Sequence, residues 1–317
     1  MTNTSANIIK PSTAKRHKFG RELLKHKFIY LLLLPGVLYY IIFSYVPMYG
    51  ITLAFREYSA ARGAFGGAFI GLSKFRLLFS DEYFWYVFKN TLLISAGRIL
   101  FQFAPPIIIA IMFNELRSAH LKKTLQTVYT FPHFLSWVII SGIVVNTFDG
   151  NGIINGMRAA FGADPVMFLG KKEYFVPLLY ITEIWKESGW ASIIYLAAIS
   201  GINEELFEAA DLDGANGWQK VLHITLPSIR PTIVIMLILS VGSILNVGFD
   251  QVFNLTNPVV QRTGDILDTY IYRITFEASS DFSFSTAVGL FKSMISFVLL
   301  ILVNIYAKKT EGVGIFE

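Results

Sequence analysis

The residues of this chain best equipped to handle a polar solute fall in one stretch, Glu183-Ile184-Trp185-Lys186-Glu187-Ser188-Gly189-Trp190. It sits inside an apolar run from about Tyr174 to Ile199, long enough to cross a bilayer. Ionisable groups at that depth are costly, and they normally face a protein interior or a water-filled cavity. Glu183 is spaced to meet Lys186 or Glu187 on one helix face, and Gly189 is expected to break the helix into two pieces. Two readings stay open: a self-neutralised cluster that needs only burial among helices, or a polar vestibule. The second is preferred, because intramembrane charges mark pathways by default. Arg98, deep in an earlier apolar run, is expected to face the same interior.

Other chemistry is missing. His133 has no second His or carboxylate at metal-ligand spacing, so it reads as a structural side chain and no metal site is expected. No P-loop glycine-lysine motif occurs, and no Ser/His/Asp or paired-carboxylate constellation has supporting context. The expectation is a non-catalytic chain without a cofactor of its own.

A second stretch, between two long apolar segments, is built to be gripped. Asn203 is a plausible N-cap, followed by Glu204 and Glu205 where the helix dipole favours carboxylates. Ile202, Leu206, Ala209 and Ala210 recur at helical spacing, giving a narrow face of small and apolar groups. Gly214 is expected to end this helix in the left-handed conformation that glycine adopts without a Cβ penalty. Ala215-Asn216-Gly217 then turns the chain, and a second short helix is expected from about Trp218 to Pro227.

The pattern Glu208-Ala209-Ala210, three residues, Gly214, nine residues, Ile224-x-Leu226-Pro227 resembles the EAA loop of ABC-transporter permeases. Those are importers fed by a solute-binding protein. The resemblance implies that the elbow, 202–227, is a coupling helix docking into a cytoplasmic ATPase subunit. Glu208, Ala209, Ala210, Asp213, Gly214, Ala215, Ile224, Leu226 and Pro227 would then carry the coupling. An ordinary interfacial helix would need none of this spacing.

Composition agrees with a polytopic membrane protein. Hydrophobic residues make up 54% and charged residues 15% of the 317 residues, against about 25% charged in a usual soluble domain. Cysteine is absent, which excludes disulfides and thiolate chemistry. Residues 1–27 are basic, and so are the Arg117 to Lys123 loop and Lys308-Lys309. By the positive-inside rule these lie in the cytoplasm. Topology explains that charge, so no nucleic-acid partner is expected.

Six spans are expected: about 28–55, 87–113, 125–148, 174–199, 227–249 and 284–305. Pro35 and Pro47 predict a kink or boundary in the first, and Pro105-Pro106 a bend in the second. The Ala/Gly-rich segment 59–68 suggests a mobile external loop. The aromatic run Phe69 to Trp85 is equally an interfacial belt or the family's amphipathic segment before the second span.

The expected fold class is therefore all-α, a polytopic membrane protein with six transmembrane helices, and the resemblance implies the ABC importer type I permease fold. Its domains are a basic tail (1–27), the permease domain (28–310) and a short C-terminal tail (311–317). Phe131-Pro132-His133-Phe134-Leu135-Ser136-Trp137, Phe249-Asp250-Gln251 to Asn257-Pro258 and Asp265-Ile266-Leu267-Asp268-Thr269-Tyr270 resemble the family's branch importing oligo- and polysaccharides. The partners so implied are a second homologous permease, two cytoplasmic ATPase subunits holding ATP and Mg, an extracellular or periplasmic sugar-binding protein, an oligosaccharide and membrane lipid. The implied location is the bacterial plasma (inner) membrane, with both termini cytoplasmic. Aromatic faces stack on pyranose rings while carboxylates and amides bind hydroxyls, so Trp185, Trp190, Asn246, Phe249 and Asp250 are candidates for the sugar path. A self-sufficient secondary transporter is the alternative; it would need inverted repeats, and none is evident.

Overall fold

The structure is a computed structural model describing residues 25–59, 61–63, 66–246, 248–278, 280–312 and 314. The basic tail up to residue 24 and most of the C-terminal tail lie outside the described residues. The chain divides into two units, Met1–Leu53 and Ala54–Glu317.

In the first unit, α1 (Lys27–Tyr40) runs through Pro35 without interruption and buries no residue. A π-helical turn, Ile41–Tyr45, follows it directly ahead of Pro47. Proline has no N–H and crowds the carbonyl of the preceding turn, so one wider turn relieves both problems. Pro47 therefore marks the local change of winding, and Pro35 leaves the helix assignment unchanged.

The second unit opens on residues 56–69, whose ends are held by antiparallel bridges between Arg56 and Phe69 and between Ser59 and Gly63. The helices α2 (Ser73–Ser80), α3 (Glu82–Gln102) and α4 (Ala104–Glu115) come next. Asp81 caps α3 by accepting from the Tyr83 backbone at 2.8 Å. The break at Phe103 falls just before Pro105-Pro106, as the prolines dictate. Span three departs from expectation. α5 (Ala119–Thr130) stops at a 3-10 turn through Phe131–Phe134, and α6 (Trp137–Phe148) restarts with Ser136 as its cap. Pro132 and the Ser136 hydroxyl, which accepts from Ile139 N at 3.4 Å, impose that restart. α7 (Ile153–Ala160) completes this part.

α8 (Lys172–Ser200) is a single helix of 29 residues. Gly189 does not divide it, contrary to expectation. A Cβ at Gly189 would stand 2.0 Å from the carbonyl oxygen of Tyr129, so the glycine admits the α5 backbone instead of breaking α8. α9 (Glu204–Leu212) and α10 (Gly217–Lys220) form the elbow. The second arm is not a separate helix ending at Pro227. It passes through a π turn, Val221–Thr225, straight into α11 (Leu226–Gly242). Pro227 stands in the first turn of α11, just after the π turn, and Pro231 lies inside the helix without ending it. Then come α12 (Phe249–Leu255), α13 (Leu267–Tyr272) and α14 (Phe282–Glu311).

Five helical stretches among the described residues are long and apolar enough to cross a membrane: Lys27–Phe55, Glu82–Glu115, Trp137–Ala160, Gly217–Gly242 and Phe282–Thr310. α8 supplies the sixth by length, since 29 residues at about 1.5 Å each exceed a bilayer core. Close backbone approaches hold the second unit together. Gly97 faces Tyr180, where a Cβ would be 2.2 Å from the hydroxyl, and Gly242 faces Leu300 at 2.5 Å. Around them Ile140, Leu179, Phe175 and Val252 form one buried cluster, and Ala110, Tyr195 and Ile229 another.

Candidate functional site: a polar centre and an exposed elbow

The charges of α8 are brought to two different partners. Lys186 pairs with Glu187 at 3.1 Å and donates to the His133 carbonyl at 2.7 Å. Glu187 also meets His133 Nδ1 at 2.7 Å. The His133 ring lies flat on Trp190, with centroids 4.6 Å apart and planes 1° from parallel. The Phe-Pro-His-Phe turn that interrupts span three therefore supplies the counterpart of the charged centre. Glu183 takes no part in this group. Its nearest cation is Arg98, at 3.9 Å.

Arg98 is 2% exposed and donates through Nη2 to Gln251 Oε1. Gln251 is itself anchored, its Nε2 donating to Leu179 O and Thr182 Oγ1, each at 2.8 Å. Gly248, at φ +88°, lies against the guanidinium; a Cβ there would be 2.3 Å from Nη1 and Nη2. Arg98 Nε and Nη1 and Glu183 Oε2 have no hydrogen-bond partner among the described residues. Beside them lies a cleft of about 230 Å³, whose walls include Arg98, Gln102, Glu183, Glu187, Ser188 and Ser240. Such a lining offers donors and acceptors together, as binding of hydroxyl-bearing solutes requires.

The predicted path residues are spread around this centre and do not line the cleft. Trp190 is committed to His133, and Trp185 is 49% exposed. Asn246 is exposed in the turn after α11, and Asp250 is exposed on α12. Phe249 stacks on Phe253, with centroids 5.3 Å apart. Sequence reasoning singled out Arg98 and Glu183 by their depth. It missed the pairing with Gln251, whose only signal is an amide beside an apolar run.

In the loop ahead of α13, Asp265, 1% exposed, accepts from Tyr83 Oη at 2.7 Å, Thr269 Oγ1 at 2.7 Å and Arg273 Nη2 at 2.5 Å. Tyr270 donates to Asp81 at 2.6 Å. Burial pushes the Tyr270 hydroxyl well above the usual tyrosine range, and the Asp81 carboxylate adds to the effect. Arg273 is partly desolvated, yet the hydrogen bond and charge of Asp265 hold its guanidinium above its ordinary value. These bonds position the segment from Asp265 to Tyr270 against the start of α3.

The elbow is assembled largely as its residues foretell. Asn203 accepts from Glu205 N at 3.1 Å, capping α9. Gly214 has φ +77°. Ala215 N reaches Ala210 O at 2.9 Å and Gly214 N reaches Asp211 O at 3.1 Å, a Schellman closure. Asn216 and Gln219 cap the second arm reciprocally, at 2.9 and 2.8 Å. Lys220 pairs with Asp211 across the bend. A cleft of about 330 Å³ opens there, lined by Ala210, Asp213, Gly214, Ala215, Lys220 and Ile224. Glu208 and Ala209 are exposed on the first arm. Leu226 and Pro227 begin α11 beyond the cleft. Leu212 is 90% and Trp218 69% exposed. Two large apolar side chains are thus left uncovered on a well-capped elbow.

Long apolar helices, a charged interior and a capped, exposed elbow are the arrangement of a transport permease. The chain belongs to the family of binding-protein-dependent transport system inner membrane components, whose pattern matches residues 102–312. It is 41% identical over 304 residues to the polygalacturonan/rhamnogalacturonan transport system permease protein YteP of Bacillus subtilis (strain 168), covering 95% of this chain and 94% of that protein. It is 40% identical to protein LplB of the same organism, covering 93% and 92%. A solved bacterial ABC transporter that imports the acidic polysaccharide alginate contains a chain 37% identical to it, with TM-score 0.85 over 93% of this chain and 99% of that one.

Proposed function

We propose that this chain is one of two permease subunits of an ABC importer that moves an oligosaccharide or polysaccharide into the cytoplasm. The exposed elbow carries the reading: its Glu208 to Pro227 pattern is folded, capped and uncovered as a coupling helix must be. Two ATPase subunits, with ATP and Mg, grip it from the cytoplasm. A second homologous permease completes the passage, and an external sugar-binding protein delivers the solute. The substrates named for the relatives, polygalacturonan/rhamnogalacturonan and alginate, support a saccharide cargo.

Mechanism follows from the geometry. ATP closes the ATPase pair, and the load enters at Glu208, Ala209, Ala210, Asp213, Gly214 and Ala215. The second arm continues without a break through Ile224, Leu226 and Pro227 into α11, so elbow motion moves a spanning helix directly. α11 carries Ser240 on the wall of the polar cleft beside Arg98 and Glu183. Displacing it changes the cleft and alternates its access to the two sides. Sugar hydroxyls exchange bonds with that lining, while Trp185, Trp190, Asn246, Phe249 and Asp250 flank the route. The membrane is the bacterial inner membrane, with both termini cytoplasmic.

The test is to purify the complex and screen oligosaccharides, with their binding protein, for stimulation of ATP hydrolysis. A co-purified ATPase stimulated by a saccharide is the expected result. A chain that transports alone, driven by an ion gradient, would contradict the reading.

A further inference from the structure

We infer that the outer mouth holds a second saccharide subsite, a corner between the rings of Phe253 and Tyr272 that stacks one pyranose unit before it reaches the polar centre. Phe253 lies with its ring nearly parallel to Phe249, at 5.3 Å and 19°. Tyr272 stands edge-on to Phe253 at 4.8 Å and 69°, and Phe276 extends the row at 5.2 Å from Tyr272. Phe253 is 42% and Phe276 66% exposed. A concave site of about 190 Å³ opens on this corner, its walls including Phe253, Thr256, Gln261, Tyr272 and Glu277. Thr256 Oγ1 is buried beneath the site, with no hydrogen-bond partner among the described residues, and is out of reach of a bound ring. Glu277 is exposed and enters no ion pair among the described residues.

An aromatic floor with the Gln261 amide and the Glu277 carboxylate at its rim is the chemistry that recognises a sugar ring. Its apolar C–H face covers the aromatic ring, and its hydroxyls meet the polar rim. A lipid tail fits poorly, because Arg273 and Glu277 line the same wall. The corner also continues into the established polar centre. α12 starts at Gly248, which rests on Arg98, and its next residues carry Phe249 and Phe253 on successive turns. The row thus leads from the outer loop to the guanidinium that walls the inner cleft.

This inference rests on the saccharide reading, so the experiment begins with import by the wild-type complex. Absence of import with every saccharide tested would count against the function, not only the subsite. Given import, Pro258→Cys, an exposed position on the same wall with no assigned contact to the sugar, is placed in an otherwise cysteine-free complex and treated with a small neutral thiol reagent. Sugar-loaded binding protein should slow its labelling severalfold relative to empty binding protein, both with nucleotide present. Equal labelling in the two conditions means that protein or nothing covers the site, and overturns the subsite. Independently, Phe253→Leu should lower import about tenfold, the loss of one stacked ring, whereas Phe253→Trp retains it. Wild-type import by Phe253→Leu would also overturn the subsite.

Discussion

The carbonyl of Tyr129 reaches so far into α8 that a Cβ on Gly189 would stand 2.0 Å from its oxygen. That approach joins the interrupted third span to the charged centre. It lets His133, four residues beyond Tyr129, lie on Trp190 and meet Glu187. Gly189→Ala should therefore force the two backbones apart and destabilise the permease by about 1–3 kcal/mol. Thermal unfolding of the detergent-purified complex reads the change. An unaltered melting temperature would mean the approach carries no weight.

The Arg98–Gln251 bond makes a separate prediction. Gln251→Leu leaves a guanidinium that is 2% exposed without its partner. Losing a hydrogen bond to a buried charged group typically costs about 1.5–3 kcal/mol, and Glu183 at 3.9 Å is left as the remaining counter-charge. Assembly of the variant complex should fall sharply, whereas Asp250→Asn, on the exposed side of the same helix, should assemble as wild type. Size-exclusion yield at equal expression measures both.

Topology is open to cysteine labelling, because the chain has no cysteine of its own. Single cysteines at Ala119, Asn216 and Thr310 should resist an impermeant reagent in intact cells. Those at Gly63, Phe161 and Arg262 should react. Labelling of position 216 from outside would contradict a cytoplasmic elbow.

The elbow was legible almost residue by residue because its signals are local. A cap, a small-residue face and a glycine requiring positive φ each act within a few positions. Most membrane spans were legible from apolar length, but the third, expected over 125–148, is interrupted at Phe131–Phe134, and its apolar stretch is Trp137–Ala160. Gly189 and Pro227 were misread for one reason: each has a local tendency to break a helix, and each is overridden. At Gly189 a neighbouring backbone fills the space left by the missing side chain. Pro227 falls in the first turn of α11, just after the π turn. The Arg98–Gln251 bond joins residues 153 positions apart, and no spacing rule reaches that far. The polar centre was recognisable as unusual, but its partners were not.

Trp190→Ala tests the aromatic side of the charged centre. It removes the face on which His133 lies at 4.6 Å and frees His133 from its fixed pairing with Glu187. Import should fall about tenfold, as for the loss of one stacked ring, with assembly retained. Unchanged transport in vesicles at equal expression would remove Trp190 from the sugar path.

The central claim is that ATP hydrolysis moves this permease through the elbow. Gly214→Val adds a β-branched side chain at φ +77°, a conformation such residues resist, and should distort the bend while leaving the spans intact. Glu208→Lys reverses a charge on the exposed first arm. The decisive measurement is sugar uptake per ATP hydrolysed in vesicles holding each variant complex, beside the co-purified ATPase per permease. Both variants should insert normally yet lose uptake, through weakened ATPase association or hydrolysis without transport. If both bind the ATPase and transport at the wild-type rate, the elbow is an ordinary surface loop and the coupling account is contradicted.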